Sequence, residues 1–390
     1  MSKIRVMYVY AGFDEGWGGE QRPLILAKDI NRDKFDFSIC VIENANRGLG
    51  PNIRRLGCPI YELNLSRRFY NPLNVFHVFS AFHRLFRVKR PDIVHTQGIN
   101  ANVLGRLAAR YSRVPLIVTT YNALPDLEPR RIVRSLNQYI TTASDRFSDV
   151  IVVASEELYK IKNTQKNLHK LCVINTPVNL DHLPEAHTTS KQSDVNKNKD
   201  PILGIIGRIS YEKGHTYLIQ AMPKILDRFP TTRLLIVGSG PAETALRELV
   251  DTLKLSHCVE FTGYIPHSSI FAQWSRMDIA IVPSLNDARP IVALEAMVMG
   301  LPVVGTDMGG ISEVVLDGKT GLIIPSRNAN ALAQAIQYLL SYPREAIAMG
   351  QRGRERAFQE FHPARFIEAH ERIYEHLATS HAHELRLIEQ

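Results

Sequence analysis

"DIAIVPSLNDARPIVALEAMVMGLPVVGTD", residues 278–307, contains a complete strand–helix–strand unit. Its ends, "DIAIV" and "LPVVG", are short apolar runs of the kind buried on both faces of a parallel sheet, where neither face has to be polar. Between them, Pro290 has the fixed backbone angle that suits a first helical turn, and Gly300 tolerates the left-handed conformation in which helices end. Parallel strands require such a crossover, so this stretch by itself demands an α/β sheet. It also puts Asp287 in the loop before the helix and Glu295 in the helix's second turn. They are two separate positions, not an acid and a base sharing a proton.

The same alternation extends in both directions. "PILGIIGR", "RLLIVGSG", "CVEFTGY" and "TGLIIPS" read as further strands of the second half. "IRVMYVYA", "FDFSICVIE", "PDIVHTQG", "PLIVTTYN" and "DVIVVAS" read as strands of the first. Amphipathic helix-length segments separate them. The polar stretch 186–200, "AHTTSKQSDVNKNKD", reads as a linker or mobile loop. Two doubly wound domains are therefore expected, at 1–185 and 201–362, which suits a chain of 390 residues with 45% apolar side chains.

Net charge is +8, and all of the excess lies in the first half, where residues 1–185 carry 26 Lys and Arg against 17 Asp and Glu. That asymmetry points to an anionic partner for the first half. The segment 66–92 carries an aromatic stripe, Phe76, Phe79, Phe82 and Phe86, beside many cations. It reads either as a packed core face with a solvated basic flank or as a contact with an anionic membrane surface. Cysteines at 40, 58, 172 and 258 form neither a paired framework nor a metal spacing. No run approaches the roughly 20 apolar residues that span a bilayer, and no signal-peptide pattern opens the chain, so a cytoplasmic protein is expected, peripheral at the inner membrane face at most.

In open parallel sheets ligands lie beyond the carboxyl ends of the strands. There the sequence places glycine turns: Gly18-Gly19, Gly207 with Arg208, Gly238-Ser239-Gly240, and Gly309-Gly310. Such turns let backbone approach a phosphate, and Arg208 with Lys213 could clamp a diphosphate, Arg as a fork and Lys as a compact charge. The dinucleotide G-x-G-x-x-G spacing, the phosphate-loop motif and the G-x-S-x-G elbow do not occur. Neither does Asp-x-Asp or a His/Cys cluster, so no metal and no cofactor are expected. No nucleic-acid motif is present either, and nucleic acid is not an expected partner.

"GRISYEKG", "VGSGP", "VEFTGYI" and the stretch from 278 to 325 together resemble the nucleotide-binding half of retaining glycosyltransferases of family 4. The first half resembles that family more loosely, and "FHPARFIEAHERIYEHL" is similar to its terminal helix, about 363–380, which joins the first domain. The resemblance implies a GT-B fold, α/β with two Rossmann-like parallel-sheet domains facing across a cleft. The implied activity is metal-independent transfer of a hexose, with retention, from a UDP-, GDP- or ADP-sugar to a glycan or lipid-linked acceptor in cell-surface polysaccharide or glycolipid synthesis.

Carried over by position, Arg208 and Lys213 would neutralise the diphosphate, with Gly309 and Gly310 adding backbone donors. Glu295 would hold the ribose, and Asp287, where the family usually has Glu, would sit at the sugar end. Gly18, Gly19, Gly207, Gly238, Ser239, Gly240, Ile265, Pro290 and Ile291 complete the implied donor site. On the acceptor side stand His95, Tyr121 and Asn122, with Tyr121 at the place of a frequent His. Two readings remain beside the transferase: an epimerase or hydrolase acting on the same donor, and a non-catalytic nucleotide-sugar-binding subunit, for which the Asp287 and Tyr121 departures speak.

Overall fold

The computed structural model describes residues 3–13, 21–46, 48–66, 71–122, 139–163, 169–184, 200–287 and 290–388, the last nine of these by backbone alone. Gly18, Gly19 and all but the last residue of the expected linker 186–200 lie outside them. The chain divides into two compact units, 1–177 with 363–390, and 178–362. The division thus falls ahead of the polar stretch, at Pro177.

The first unit is built on a seven-stranded sheet, all parallel, with β1 (Ile4–Tyr10), β2 (Phe35–Val41), β3 (Ile60–Glu62), β4 (Ile93–Gln97), β5 (Leu116–Tyr121), β6 (Val150–Val153) and β7 (Leu171–Val173). Their spatial order is β3-β2-β1-β4-β5-β6-β7. The second unit has β8 (Ile202–Ile206), β9 (Arg233–Val237), β10 (Val259–Gly263), β11 (Ile279–Val282), β12 (Val303–Thr306) and β13 (Gly321–Ile324), in the order β10-β9-β8-β11-β12-β13. Both orders reverse direction once, between β1 and β4 and between β8 and β11. Such a reversal opens a crevice between loops leaving to opposite sides, the place where ligands bind in these folds.

Nine of the eleven sequence-read strands contain long buried runs, as strands covered on both faces must, and the outer strand β13 is half-buried at Leu322 and Ile323. "CVEFTGY", whose strand β10 lies at the other edge of that sheet, is half-buried along its length. β3 and β7 were not foreseen: three residues each at the outer positions of the sheet, they are too short to carry a periodicity.

The helix Pro363–Ile388 belongs to the first unit, where Phe366, Ile367 and Tyr374 enter the core beneath β1 and β2. Of the aromatic stripe, Phe82 and Phe86 are buried with Val78 against β1 and β4, and Phe79 packs beside them. That part of the helix Pro72–Lys89 is core.

A sealed ionic cluster ties β5 to the helices around it. Arg106 Nη1 donates to Asp145 Oδ1 at 2.5 Å, and Lys162 Nζ to Asp145 Oδ2 at 3.1 Å. Arg106 also donates to Ser144 Oγ at 2.7 Å and the Thr141 carbonyl at 3.1 Å, and its Nε to the Asn102 carbonyl. All three charged side chains are buried. Removing the Asp145 carboxylate leaves two cations facing each other out of water, which costs about 3–5 kcal/mol in comparable clusters. Asp145→Ala should therefore lower the urea midpoint of the protein by that equivalent; an unshifted midpoint would show the cluster to be dispensable.

Candidate functional site

In the second unit the loops leaving β8, β11 and β12 are joined backbone to backbone. Gly214, φ 72°, lies so close to the Pro283 carbonyl that a β-carbon there would collide with it. Leu285 N–H donates to the Glu212 carbonyl at 2.7 Å, stitching the β8 loop to the β11 loop. Gly309, φ 61°, has the same close approach to the Asp287 carbonyl, and Gly310 N–H donates to that carbonyl at 2.9 Å. Thr306 Oγ1 donates to the Ser284 carbonyl at 2.5 Å.

This joining brings two of the expected site residues together. Lys213 Nζ lies 2.6 Å from Asp287 Oδ2, although the two are 74 positions apart in the chain. Arg208 stands exposed on the same β8 loop as Lys213, one residue past Gly207. Gly207 has φ 150° and open space where a β-carbon would point, so the backbone is bare at that place. Directly after Gly214 the helix His215–Leu226 begins, adding its partial positive charge beside Lys213.

Other glycines of the expected site also pack loops together. Gly238 and Gly240 admit the carbonyls of Gly207 and Ile209 at contact distance, and Ile209 N–H donates to the Ser239 carbonyl at 2.9 Å. They fit the β8 and β9 loops against each other. Gly310 N–H is committed to Asp287, and the helix it precedes, Ile311–Val314, has only four residues. The pair Gly309-Gly310 fixes the Asp287 loop and stands directly before that short helix.

The helix Ile291–Val298 follows Pro290, and both Pro290 and Ile291 are buried at its start. It ends at Gly300, φ 75°, where Gly300 N–H reaches the Met297 carbonyl and Leu301 N–H the Ala296 carbonyl, a Schellman closure. Its residues pack into the core on nearly every side, so Glu295 has little freedom. Glu295 is itself buried, and its Oε1 lies 3.0 Å from His267 Nε2. His267 opens a short turn, His267–Ser269, just past half-buried Ile265. Burial draws the His267 pKa down, but the hydrogen bond and charge of Glu295, with Asp181 behind, carry it above its ordinary value. Sequence reasoning missed His267, whose partner is 28 positions away and whose own neighbours show no motif.

His215 is also buried, with neither ring nitrogen hydrogen-bonded, and burial foremost lowers its pKa to about 4. Among the described residues no three His, Cys, Asp or Glu side chains converge as metal ligands.

In the first unit the expected acceptor-side residues lie within β4, for His95, and at the end of β5, for Tyr121 and Asn122. His95 is wholly buried, Nδ1 2.6 Å from Tyr374 Oη and Nε2 2.7 Å from Thr120 Oγ1, and it stacks on His370 at 5.5 Å. Burial, then the neighbouring His370 and Arg22, holds its pKa well below the usual value. Tyr121 is buried too, its hydroxyl donating to Asp145 and accepting from Arg106 Nη2 at 3.3 Å, with Lys162 Nζ 3.9 Å from its ring centre. Both side chains are thus occupied by internal partners. Asn122, half-buried, follows Tyr121 at the strand end.

Known proteins share this construction. The model of the glycosyl transferases group 1 family matches residues 187–356, and that of the glycosyl transferase 4-like domain matches residues 18–160. The chain is 27% identical over 252 residues to an uncharacterized glycosyltransferase of Methanocaldococcus jannaschii, covering 63% of this chain and 60% of that one. It is 35% identical over 168 residues to the GDP-mannose-dependent alpha-(1-6)-phosphatidylinositol monomannoside mannosyltransferase of Mycolicibacterium smegmatis, covering 41% and 44%. The matched region is less than two thirds of either relative's length. Anabaena HepE, solved in complex with UDP-glucose, is similar over 96% of this chain and 100% of its own, with a TM-score of 0.77 at 18% identity. Likeness at that identity concerns the fold, which is GT-B.

The two kinds of glycine in this unit can be told apart by substitution. Gly263→Ala meets open space at φ 74° and should lose about 1–2 kcal/mol for the left-handed backbone alone. Gly309→Ala adds the collision with the Asp287 carbonyl and should lower the thermal midpoint clearly more. Equal losses would show that the Asp287 loop moves freely.

Proposed function

Because this chain belongs to the group 1 glycosyl transferases, we propose that it moves a hexose from a nucleotide-diphosphate sugar to a glycan or lipid-linked acceptor, with retention and without a metal. The observation that carries the reading is the Lys213–Asp287 pair at the β8/β11 crevice, beside exposed Arg208. The Asp287 carboxylate shows that an anion can meet Lys213 at this place. A diphosphate takes over that cation, together with Arg208 and the start of the helix His215–Leu226, and Asp287 is released to accept hydrogen bonds from the sugar. Glu295 accepts from the ribose hydroxyls.

The chemistry then needs little from the protein beyond electrostatics. As the bond from the anomeric carbon to the phosphate oxygen breaks, charge grows on the diphosphate, where fixed cations act most strongly. The acceptor oxygen attacks on the same face, and its proton passes to the departing phosphate. No base is required of the first unit, which agrees with the internal engagement of His95 and Tyr121. The M. smegmatis relative takes its name from GDP-mannose and Anabaena HepE was solved with UDP-glucose, so the base of the donor is a matter for measurement.

The acceptor partner fits a lipid surface. From Leu63 to Pro125 the chain has a single acidic residue, Asp92, and it is paired with Arg5 at 2.7 Å. On the helix Pro72–Lys89, Leu73, Phe76 and Val88 are 68%, 63% and 69% exposed, and Arg84, Arg87 and Lys89 are exposed with them. Apolar side chains among uncompensated cations suit an anionic bilayer, with the acceptor delivered at its surface. Among the described residues no helix is long and apolar enough to cross a membrane, so the contact proposed is peripheral.

Thermal stabilisation by a panel of UDP-, GDP- and ADP-sugars should single out one donor, and transfer from it should persist in chelator and give a product of unchanged anomeric configuration. Inverted product, or free sugar or an epimer formed without acceptor, would replace this reading. Glu295→Ala should weaken nucleotide binding by about 1.5–3 kcal/mol, the worth of hydrogen bonds to a charged group; full affinity breaks the ribose assignment. In flotation, the protein should bind anionic vesicles at low salt, and a Phe76→Ser/Arg87→Glu variant should not. No binding by the wild type removes the membrane from the proposal.

A further inference from the structure

We infer that His267 is a positioning residue for donor binding, holding the Glu295 carboxylate in the orientation that receives the ribose and adding a cation to the donor side of the second unit. This rests on the proposed role of Glu295.

Glu295 carries a formal charge on a side chain that is 4% exposed, within a helix packed on almost all sides. A buried carboxylate needs a partner, and among the described residues the His267 ring is the group that supplies one. The geometry is that of a charge-assisted hydrogen bond, 3.0 Å from Nε2 to Oε1. It occupies one lone pair of Oε1 and leaves Oε2 for a ligand hydroxyl. With its carboxylate tethered, Glu295 meets the ribose without first losing rotamer freedom, so less binding energy goes into ordering it.

His267 is placed to do this reversibly. Its side chain is 29% exposed, on a short turn at the rim, whereas Glu295 lies behind it. The charged groups facing the imidazole are Glu295, from the helix Ile291–Val298, and Asp181, from the segment that opens the second unit. Both are acids and both favour the imidazolium. The folded pKa lies above the ordinary value, so the ion pair is complete at low pH and is lost as pH rises through that raised value. A diphosphate arriving nearby favours the imidazolium further. Donor affinity must then fall with rising pH, by linkage.

The measurement is calorimetric titration, from about pH 6 to about pH 9, of the nucleotide sugar that stabilises the protein most, since its diphosphate diester does not titrate in that range while an imidazole does. For the wild type, Kd should rise about three- to tenfold across the range. His267→Gln, which keeps an N–H donor but cannot be charged, should bind with a flat pH profile near the wild type's high-pH value. His267→Ala should be weaker still, and in both the loss should appear in KM while kcat is kept. A wild-type profile unchanged in His267→Gln, with its thermal midpoint intact, overturns the inference. Glu295→Gln separates the two levels. Normal donor affinity in that variant sinks the ribose reading itself, whereas weak binding by Glu295→Gln beside an unaffected His267→Gln sinks only the role of His267.

Discussion

Two close approaches of backbone, Gly214 on the Pro283 carbonyl and Gly309 on the Asp287 carbonyl, determine what the second unit can do. They join three loops that leave different strands, and hydrogen bonds from Leu285 and Gly310 complete the junction. Neither approach tolerates a β-carbon. An ion pair between two long, mobile surface side chains contributes little, because holding them together costs as much entropy as their attraction returns. Lys213 and Asp287 escape that limit, since the backbone on both sides is already fixed and Asp287 is nearly enclosed. The result is a preset charge arrangement at the β8/β11 reversal.

The two units share one pattern of strand order but treat their polar side chains differently. At the strand ends of the second, charged side chains stay accessible: Arg208 is exposed and Lys213 is partly so. In the first, the candidate side chains are turned inward and held by internal partners: His95, within β4, by Tyr374 and Thr120, and Tyr121, at the end of β5, by Asp145 and Arg106. Satisfied buried networks give rigidity and a unique packing, not reactivity. The first unit's exposed chemistry lies instead on a helix surface, where cations outnumber acids and large apolar side chains face out.

Much of this was legible in the sequence. The stretch 278–307 gave a strand, a helix between Pro290 and Gly300, and a second strand, and all three stand where the apolar runs put them. Arg208, Lys213 and Asp287 were recognisable because they follow strands, and in a parallel sheet the residues after strands share one edge. The aromatic stripe 76–86 shows where pattern alone stops. Phe82 and Phe86 turned to the core and Phe76 to solvent, because a helical period fixes which residues share a face but not where the neighbouring helix covers it. The glycine pair 309–310 stands out in the sequence, but its packing against the Asp287 carbonyl is visible only in the structure.

By itself, then, the sequence determined the fold class, the strands of both sheets apart from the two shortest, and the edge on which charge would gather, since these follow from period, turn chemistry and the parallel arrangement. Only the tertiary structure decided which groups meet: Lys213 with Asp287, His267 with Glu295, His95 with Tyr374 across 279 positions. Such meetings depend on where loops are pressed together and which side chains are shut away from water. Spacing along a chain carries no record of either, because contact and burial are properties of the packed whole.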